Sequence, residues 1–285
     1  MTPQELIKDT DGLVSLPDVC LQVYQQLEDP FFSAAQVSQT ISLDPGLTAR
    51  VLRLVNSAYF GFDRKIETIS HALGLLGADQ LRNLVLATSV TNAFRNIPTN
   101  LVDMSLFWAH SVTAALVAQH LGRACLLKNP ERLFVTGLLH DVGQLVIYSR
   151  KPDLATQTLE RGMAKEGHLW ELEQEIIGCD HAAVGGALVD SWQLPQSLCE
   201  PIAYHHQPAK AEQYPEEAAI THIANILANT EQPSRHHKRL ILPPIDAIDQ
   251  WALDRAGLEE TTLDEALQIA LNEYAAVTRM LVADS

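Results

Sequence analysis

Six residues of this sequence have the types and spacing to hold a metal cation together: His110, the adjacent pair His140-Asp141, His181, and the adjacent pair His205-His206. His110 lies on an apolar stripe with Phe107, Ala114, Val117 and Leu121, so its imidazole points inward with that helical face. A lone histidine in such a place is more often a core residue than a ligand. His140-Asp141 closes the apolar run RLFVTGLL and sets one ring nitrogen beside one carboxylate at the inner end of a helix. His181 shares a face with Val184 and Leu188, and His205-His206 follow Leu198 on the side that Ile202 also occupies. Several buried imidazoles and an aspartate each bring a donor or a charge that must be satisfied, and one shared divalent cation satisfies them together. Imidazole and oxygen donors without thiolate suit iron, manganese or zinc.

The elements that must carry these residues read as helices. Apolar residues recur at intervals of three and four, as in Val37 and Ile41 and then Leu47, Val51, Leu54 and Val55, while period-two alternation is scarce. The fold class is therefore all-α. Helix starts are signalled at Ser33, at Asp44-Pro45 and at Asp79, each ahead of an apolar stripe, and breaks at Gly61, Gly77, Pro98 and Gly122. The stretch FRNIPTNLVD, from Phe94 to Asp103, interrupts the pattern and is the expected lobe boundary. Residues 1–100 are expected to form an N-terminal helical lobe and residues 101–285 a second helical lobe that carries the clustered histidines. The acidic stretch from Leu258 reads as an amphipathic helix that closes the second lobe or packs against a second copy of the chain.

Composition narrows the function. At 285 residues and 47% hydrophobic, the chain has ample material for a core. A net charge of −15 opposes nucleic-acid phosphate, so no direct DNA or RNA binding is expected. The basic run Arg235 to Arg239 lies in loop composition and reads as solvated. No apolar run reaches the length a bilayer requires, and Cys20, Cys125, Cys179 and Cys199 form no paired motif. A cytoplasmic protein without membrane partners is expected.

The order His110, His140-Asp141, His181, His205-His206, with LLHDVGQL around the pair, resembles the HD superfamily of metal-dependent phosphohydrolases. The segments SLPDVCLQVYQQLEDP, ISLDPGLTARVLRLVNSAYFG and ISHALGLLGADQLRNLVLA, with FWAHS and DHAAVGGALVDSWQLP, narrow this to a resemblance to bacterial HDOD domains, from about Leu13 to about Asn229. The resemblance implies a multi-helix HDOD fold, an N-terminal lobe packed on an HD-like lobe, and His110, His140, Asp141, His181, His205 and His206 as metal ligands.

The resemblance also marks departures. Gln144 stands where active relatives carry a lysine that contacts phosphate. Asn225 falls where a late aspartate completes the metal shell, with His222 one turn before it. The Gly-Tyr-Pro element of cyclic-dinucleotide phosphodiesterases is missing from HHQPAKAEQYP. Gln144, His222 and Asn225 are thus the additional candidates at the site. The resemblance with these departures implies a regulatory module of signal transduction that acts through a signalling protein or a small phosphorylated ligand. The alternative is a hydrolase of a nucleotide or small phosphate ester, against whose full activity Gln144 and Asn225 argue. Trp108, Trp192 and Tyr204 are expected in the core, and Asn56, Ser57 and Tyr59 in the turn between two helices.

Overall fold

The computed structural model describes residues 1–8, 15–57, 59–94, 101–230 and 248–281, and among these there are helices and turns but no strand. Pro98, Ala58 and the basic run with His236 and His237 lie outside the described residues. No helix among the described residues is long and apolar enough to cross a membrane.

The chain divides into two units. One comprises Leu13–Asn96 with Asn272–Ser285, the other Met1–Gly12 with Ile97–Leu271. The first contains α2 (Asp18–Glu28), α3 (Ala34–Ser42), α4 (Pro45–Val55), α5 (Ile69–Leu76) and α6 (Ala78–Ala93). The second contains α1 (Pro3–Ile7), α7 (Met104–Ala124), α8 (Pro130–Leu139), α9 (Val142–Arg150), α10 (Pro152–Met163), α11 (Leu169–Ile176), α12 (His181–Ser191), α13 (Gln196–Ala203), α14 (Pro215–Thr230) and α15 (Gln250–Ala256). The last helix, α16 (Glu260–Leu281), covers the stretch expected to be an amphipathic helix; its residues up to Leu271 belong to the second unit and those from Asn272 to the first.

Two of the three expected helix starts have the chemistry their sequences signal, and the third is not capped by the residue expected. Ser33 accepts from the Gln36 amide at the start of α3, and Asp44 accepts from the Leu47 amide at 2.9 Å with Pro45 as the first helical residue of α4. α6 begins at Ala78 after Gly77, one residue before the expected Asp79, which sits in the first turn and pairs with Arg82 at 2.7 Å. In the turn after α4, the Asn56 amide donates to Leu52 O and Ile66 O at 2.7 Å each and accepts from Ile66 N at 2.6 Å. This clamp draws the entry of α5 against the end of α4.

The expected break at Gly122 comes two residues later, where α7 ends at Ala124. Gly122 lies in the last turns of α7, where a Cβ would overlap Leu133 of α8 and touch Pro130 at 3.5 Å. Its sequence signal is one of close helix packing rather than of chain reversal.

The second unit is built around α7, which is buried from Phe107 to Gln119 and packs on α8 and α14. α12 packs on α9, α13 and α1. The crossing of α9 and α12 is set by Gly143: a Cβ there would meet the His181 carbonyl oxygen and lie 2.7 Å from the Gly185 amide nitrogen. The missing side chain lets the start of α12 lie directly on the start of α9, which brings His181 to Asp141.

Candidate metal centre

Each of the six sequence candidates sits at or beside a helix end or on the buried helix α7. His110 projects from α7, His140 caps the end of α8, Asp141 caps the start of α9, and His181 is the first residue of α12. His205 and His206 lie beyond α13, which stops at Ala203, so they come from a turn and not from the helical face the sequence implied. Pro208 biases Gln207 away from helical geometry, so no helix continues from the pair into the next residues.

Asp141 is the hub. Its Oδ2 lies 3.5 Å from His110 Nε2 and 3.3 Å from His140 Nε2, and its Oδ1 lies 3.1 Å from His181 Nε2 and 3.8 Å from His205 Nε2. The Nε2 atoms of His110 and His140 are 3.1 Å apart, and those of His181 and His206 are 2.8 Å apart. Two donor groups result, Asp141 with His181, His205 and His206, and His110 with His140 and Asp141, each with its ligand atoms within 4.8 Å of one another.

The outward nitrogens fix which way the lone pairs point. His140 Nδ1 lies 2.8 Å from Gly137 O and His205 Nδ1 lies 2.8 Å from Ile202 O. A carbonyl only accepts, so both Nδ1 atoms carry hydrogen, which leaves Nε2 of each ring, facing the carboxylate, as the atom able to offer a lone pair to a cation. His205 Nε2 is buried with no hydrogen-bond partner among the described residues. Converging lone pairs and a carboxylate repel one another unless a cation lies among them, so the donor set fits a divalent metal.

A buried carboxylate absent from the sequence reading backs the centre. Glu173 Oε2 lies 2.6 Å from His181 Nδ1 and 2.8 Å from the His181 amide nitrogen. The sequence does carry a signal for it: in LWELEQEIIG, Glu173 stands four residues from both Leu169 and Ile177, on the helical side those apolar residues mark.

The charges answer to this packing. Burial, then the neighbouring His140, pushes His110 down to about 4. Burial also drives His205 and His206 well below the ordinary imidazole value, with the other histidines acting in the same sense. Burial would lower His181 as well, but Glu173 and Asp141 hold it well above the ordinary value. Burial would raise Asp141, but His140 and His181 keep its carboxyl well below the usual range. His181 therefore carries a proton toward each of two carboxylates, and a metal bound at Nε2 takes the place of one of them.

The additional candidates divide. Asn225 is buried on α14 near His110, whose Nδ1 is buried with no hydrogen-bond partner among the described residues. His222 turns elsewhere, its Nδ1 2.7 Å from His205 O and its Nε2 accepting from the Asp249 amide at 3.0 Å. Gln144 Oε1 accepts from the Tyr148 hydroxyl at 3.1 Å. Trp108 and Trp192 are buried, as the sequence implied, but Tyr204, in the turn that ends α13, is only half-buried, and Trp170 stacks on the half-buried His206 with ring centres 5.8 Å apart.

Among solved structures, an HDOD domain protein with unknown function from Geobacter sulfurreducens superposes with a TM-score of 0.80 at 26% identity, covering 98% of this chain and 97% of that one. A second, named "Putative phosphohydrolase", from Shewanella amazonensis SB2B, gives a TM-score of 0.73 at 28% identity over 96% of each chain. An uncharacterized protein of Treponema pallidum (strain Nichols) is 26% identical over 221 residues, or 76% of this chain, which spans 42% of that relative's length. The HDOD domain family model matches residues 13–208, a span that includes the hub aspartate and all four of its nearest imidazoles, and the chain belongs to the HDOD domain family.

Proposed function

We propose that this chain is a regulatory HDOD module of bacterial signal transduction. It holds a divalent cation on His110, His140, Asp141, His181, His205 and His206 and acts by binding a partner protein or a small phosphorylated ligand. The observation that carries this reading is the closure of most of the centre: five of the six donors are buried, with His140 and His205 0% exposed and Asp141 7% exposed, and His206 alone of the six is half-buried. A phosphoester must reach its metal, and a site this enclosed favours a cation that ties elements together. Bound there, the cation would supply positive charge that joins α7, the α8–α9 junction, the start of α12 and the turn after α13. The protein's own groups hold it in register, with Gly137 O and Ile202 O orienting His140 and His205. Gln144, engaged with Tyr148, brings no positive charge for an anionic substrate, and Asn225 brings no carboxylate.

A metal-dependent phosphohydrolase is the second reading. It is favoured by the sharing of Asp141 between two donor groups, an arrangement able to hold two cations. Elemental analysis of protein purified without a metal-affinity tag, beside the His140→Ala/Asp141→Ala double variant, tests the metal. Near-stoichiometric iron, manganese or zinc that vanishes in the variant is expected, and a metal-free wild type would overturn the hydrolase and the cation-binding part of the regulatory reading, leaving a helical interaction module. A phosphoester screen separates them: turnover lost on His140→Ala would establish the hydrolase, and metal without turnover is the outcome expected for the regulatory module.

A further inference from the structure

We infer that Glu173 makes the centre electrostatically lopsided, so that it takes one cation tightly on Asp141, His181, His205 and His206 and a second only weakly on His110, His140 and Asp141. This deepens, and rests on, the metal-binding reading above.

Glu173 is 0% exposed, and both hydrogen bonds to His181 fall on the same carboxylate oxygen, Oε2. The other oxygen, Oε1, is buried without a hydrogen-bond partner among the described residues. No lysine or arginine among the described residues forms an ion pair with it; its partner is His181. A carboxylate so enclosed calls for positive charge, and a cation on Nε2, across the His181 ring from Glu173, would provide it through that ring. The ring between them fixes the geometry, because Nδ1–H points at Glu173 and Nε2 must then face Asp141 and His206.

The other donor group has no such backing. The outer nitrogen of His140 meets a neutral carbonyl, that of Gly137, and Asn225, the side chain of α14 near His110, is also neutral. One group therefore draws on two carboxylates, Asp141 and Glu173, whereas the other shares Asp141 and has none of its own. A dication on the first group is balanced by the two carboxylates. A dication on the second then meets the first across Asp141 with no further anion to offset the repulsion.

The test is titration of metal-stripped, tag-free full-length protein with Zn²⁺ in competition with a chromophoric chelator, and with Co²⁺ followed by its visible absorption. Wild type, Glu173→Gln and His110→Ala are compared. Wild type is expected to show one tight equivalent and a second about 10- to 100-fold weaker, given the affinity changes that carboxylate backing of a histidine ligand produces. Glu173→Gln keeps a hydrogen-bond acceptor for His181 but not the charge. It should weaken the tight equivalent about 10- to 100-fold and shift the Co²⁺ spectrum, with the helical circular dichroism unchanged. His110→Ala should remove the weak equivalent and leave the tight one. Two equivalents of equal affinity in wild type, an unaltered tight equivalent in Glu173→Gln, or loss of the tight one in His110→Ala would overturn this inference while leaving metal binding intact. A wild type that binds neither ion overturns the metal-binding reading itself.

Discussion

The α-carbon of Gly143 faces the carbonyl of His181 so closely that a methyl group on it would overlap the carbonyl oxygen. The obstacle is backbone on a packed helix, not the end of a flexible side chain, and α12 cannot retreat without carrying His181 away from Asp141. Gly143→Ala is expected to cost about 1–3 kcal/mol, the usual range for overpacking a core, and to lower metal content with it. Gly74 is the control, since a Cβ there meets nothing within 4 Å and lies on a helix. Gly74→Ala should raise stability by roughly 0.5–1 kcal/mol through helix propensity. Urea denaturation of both variants checks the pair, and equal effects would refute the account of the α9–α12 crossing.

Asn56 connects α4 to the entry of α5 through both ends of its amide. Asn56→Ala removes bonds to Ile66 N and Ile66 O and is expected to destabilise by about 1–2 kcal/mol. Asn56→Asp keeps an acceptor for Ile66 N but loses the donor to Leu52 O and Ile66 O, so it should rescue little of the loss. Thermal unfolding monitored by circular dichroism measures both, and an aspartate variant equal to wild type would show that the donor side of the clamp contributes nothing.

These two residues mark what the sequence makes legible. The caps at Ser33 and Asp44 and the inward faces of His110 and His181 follow from local pattern, because a cap and an apolar stripe depend on neighbours within a few residues. Gly122 and Gly143 look alike in sequence, yet each serves a helix contact whose partner lies elsewhere in the chain, which is why local pattern alone suggests a break at Gly122. Glu173 is hidden for a similar reason. It is one of several acids in a helix whose others face solvent, and only the fold brings it to His181. The departure of His222 from the centre depends on a bond to Asp249, 27 residues away, that no local pattern announces.

Glu200 holds the chain that follows the histidine pair. Its buried carboxylate accepts from the amides of Glu212 and Gln213 at 2.9 Å each and from that of Tyr214 at 2.5 Å. Glu200→Ala leaves three backbone donors without their acceptor and is expected to cost about 2–4 kcal/mol, several times the worth of a neutral hydrogen bond. Glu200→Gln retains one acceptor oxygen and should cost less. Hydrogen exchange localises the effect: the amides of residues 212–214 should lose protection first, and uniform loss across the unit would argue against a local role.

Asn225 offers the most direct way to change how the centre behaves. It is buried on α14 beside His110, the member of the less anionic donor group that belongs to neither the α8–α9 junction nor α12. Asn225→Asp puts a carboxylate where an amide stands, without adding volume. In metal-free protein the new charge is buried next to imidazoles, so the variant should be no more stable than wild type and should lose stability under chelation. With metal present, an added anionic donor should raise affinity for the second equivalent by about tenfold or more, since ligand charge is a main determinant of cation affinity. Isothermal titration with Mn²⁺ on wild type and variant reads this directly. A second equivalent that binds no better in Asn225→Asp would mean that Asn225 does not face the His110–His140 pair when the centre is loaded, and that the weakness of that half has another cause.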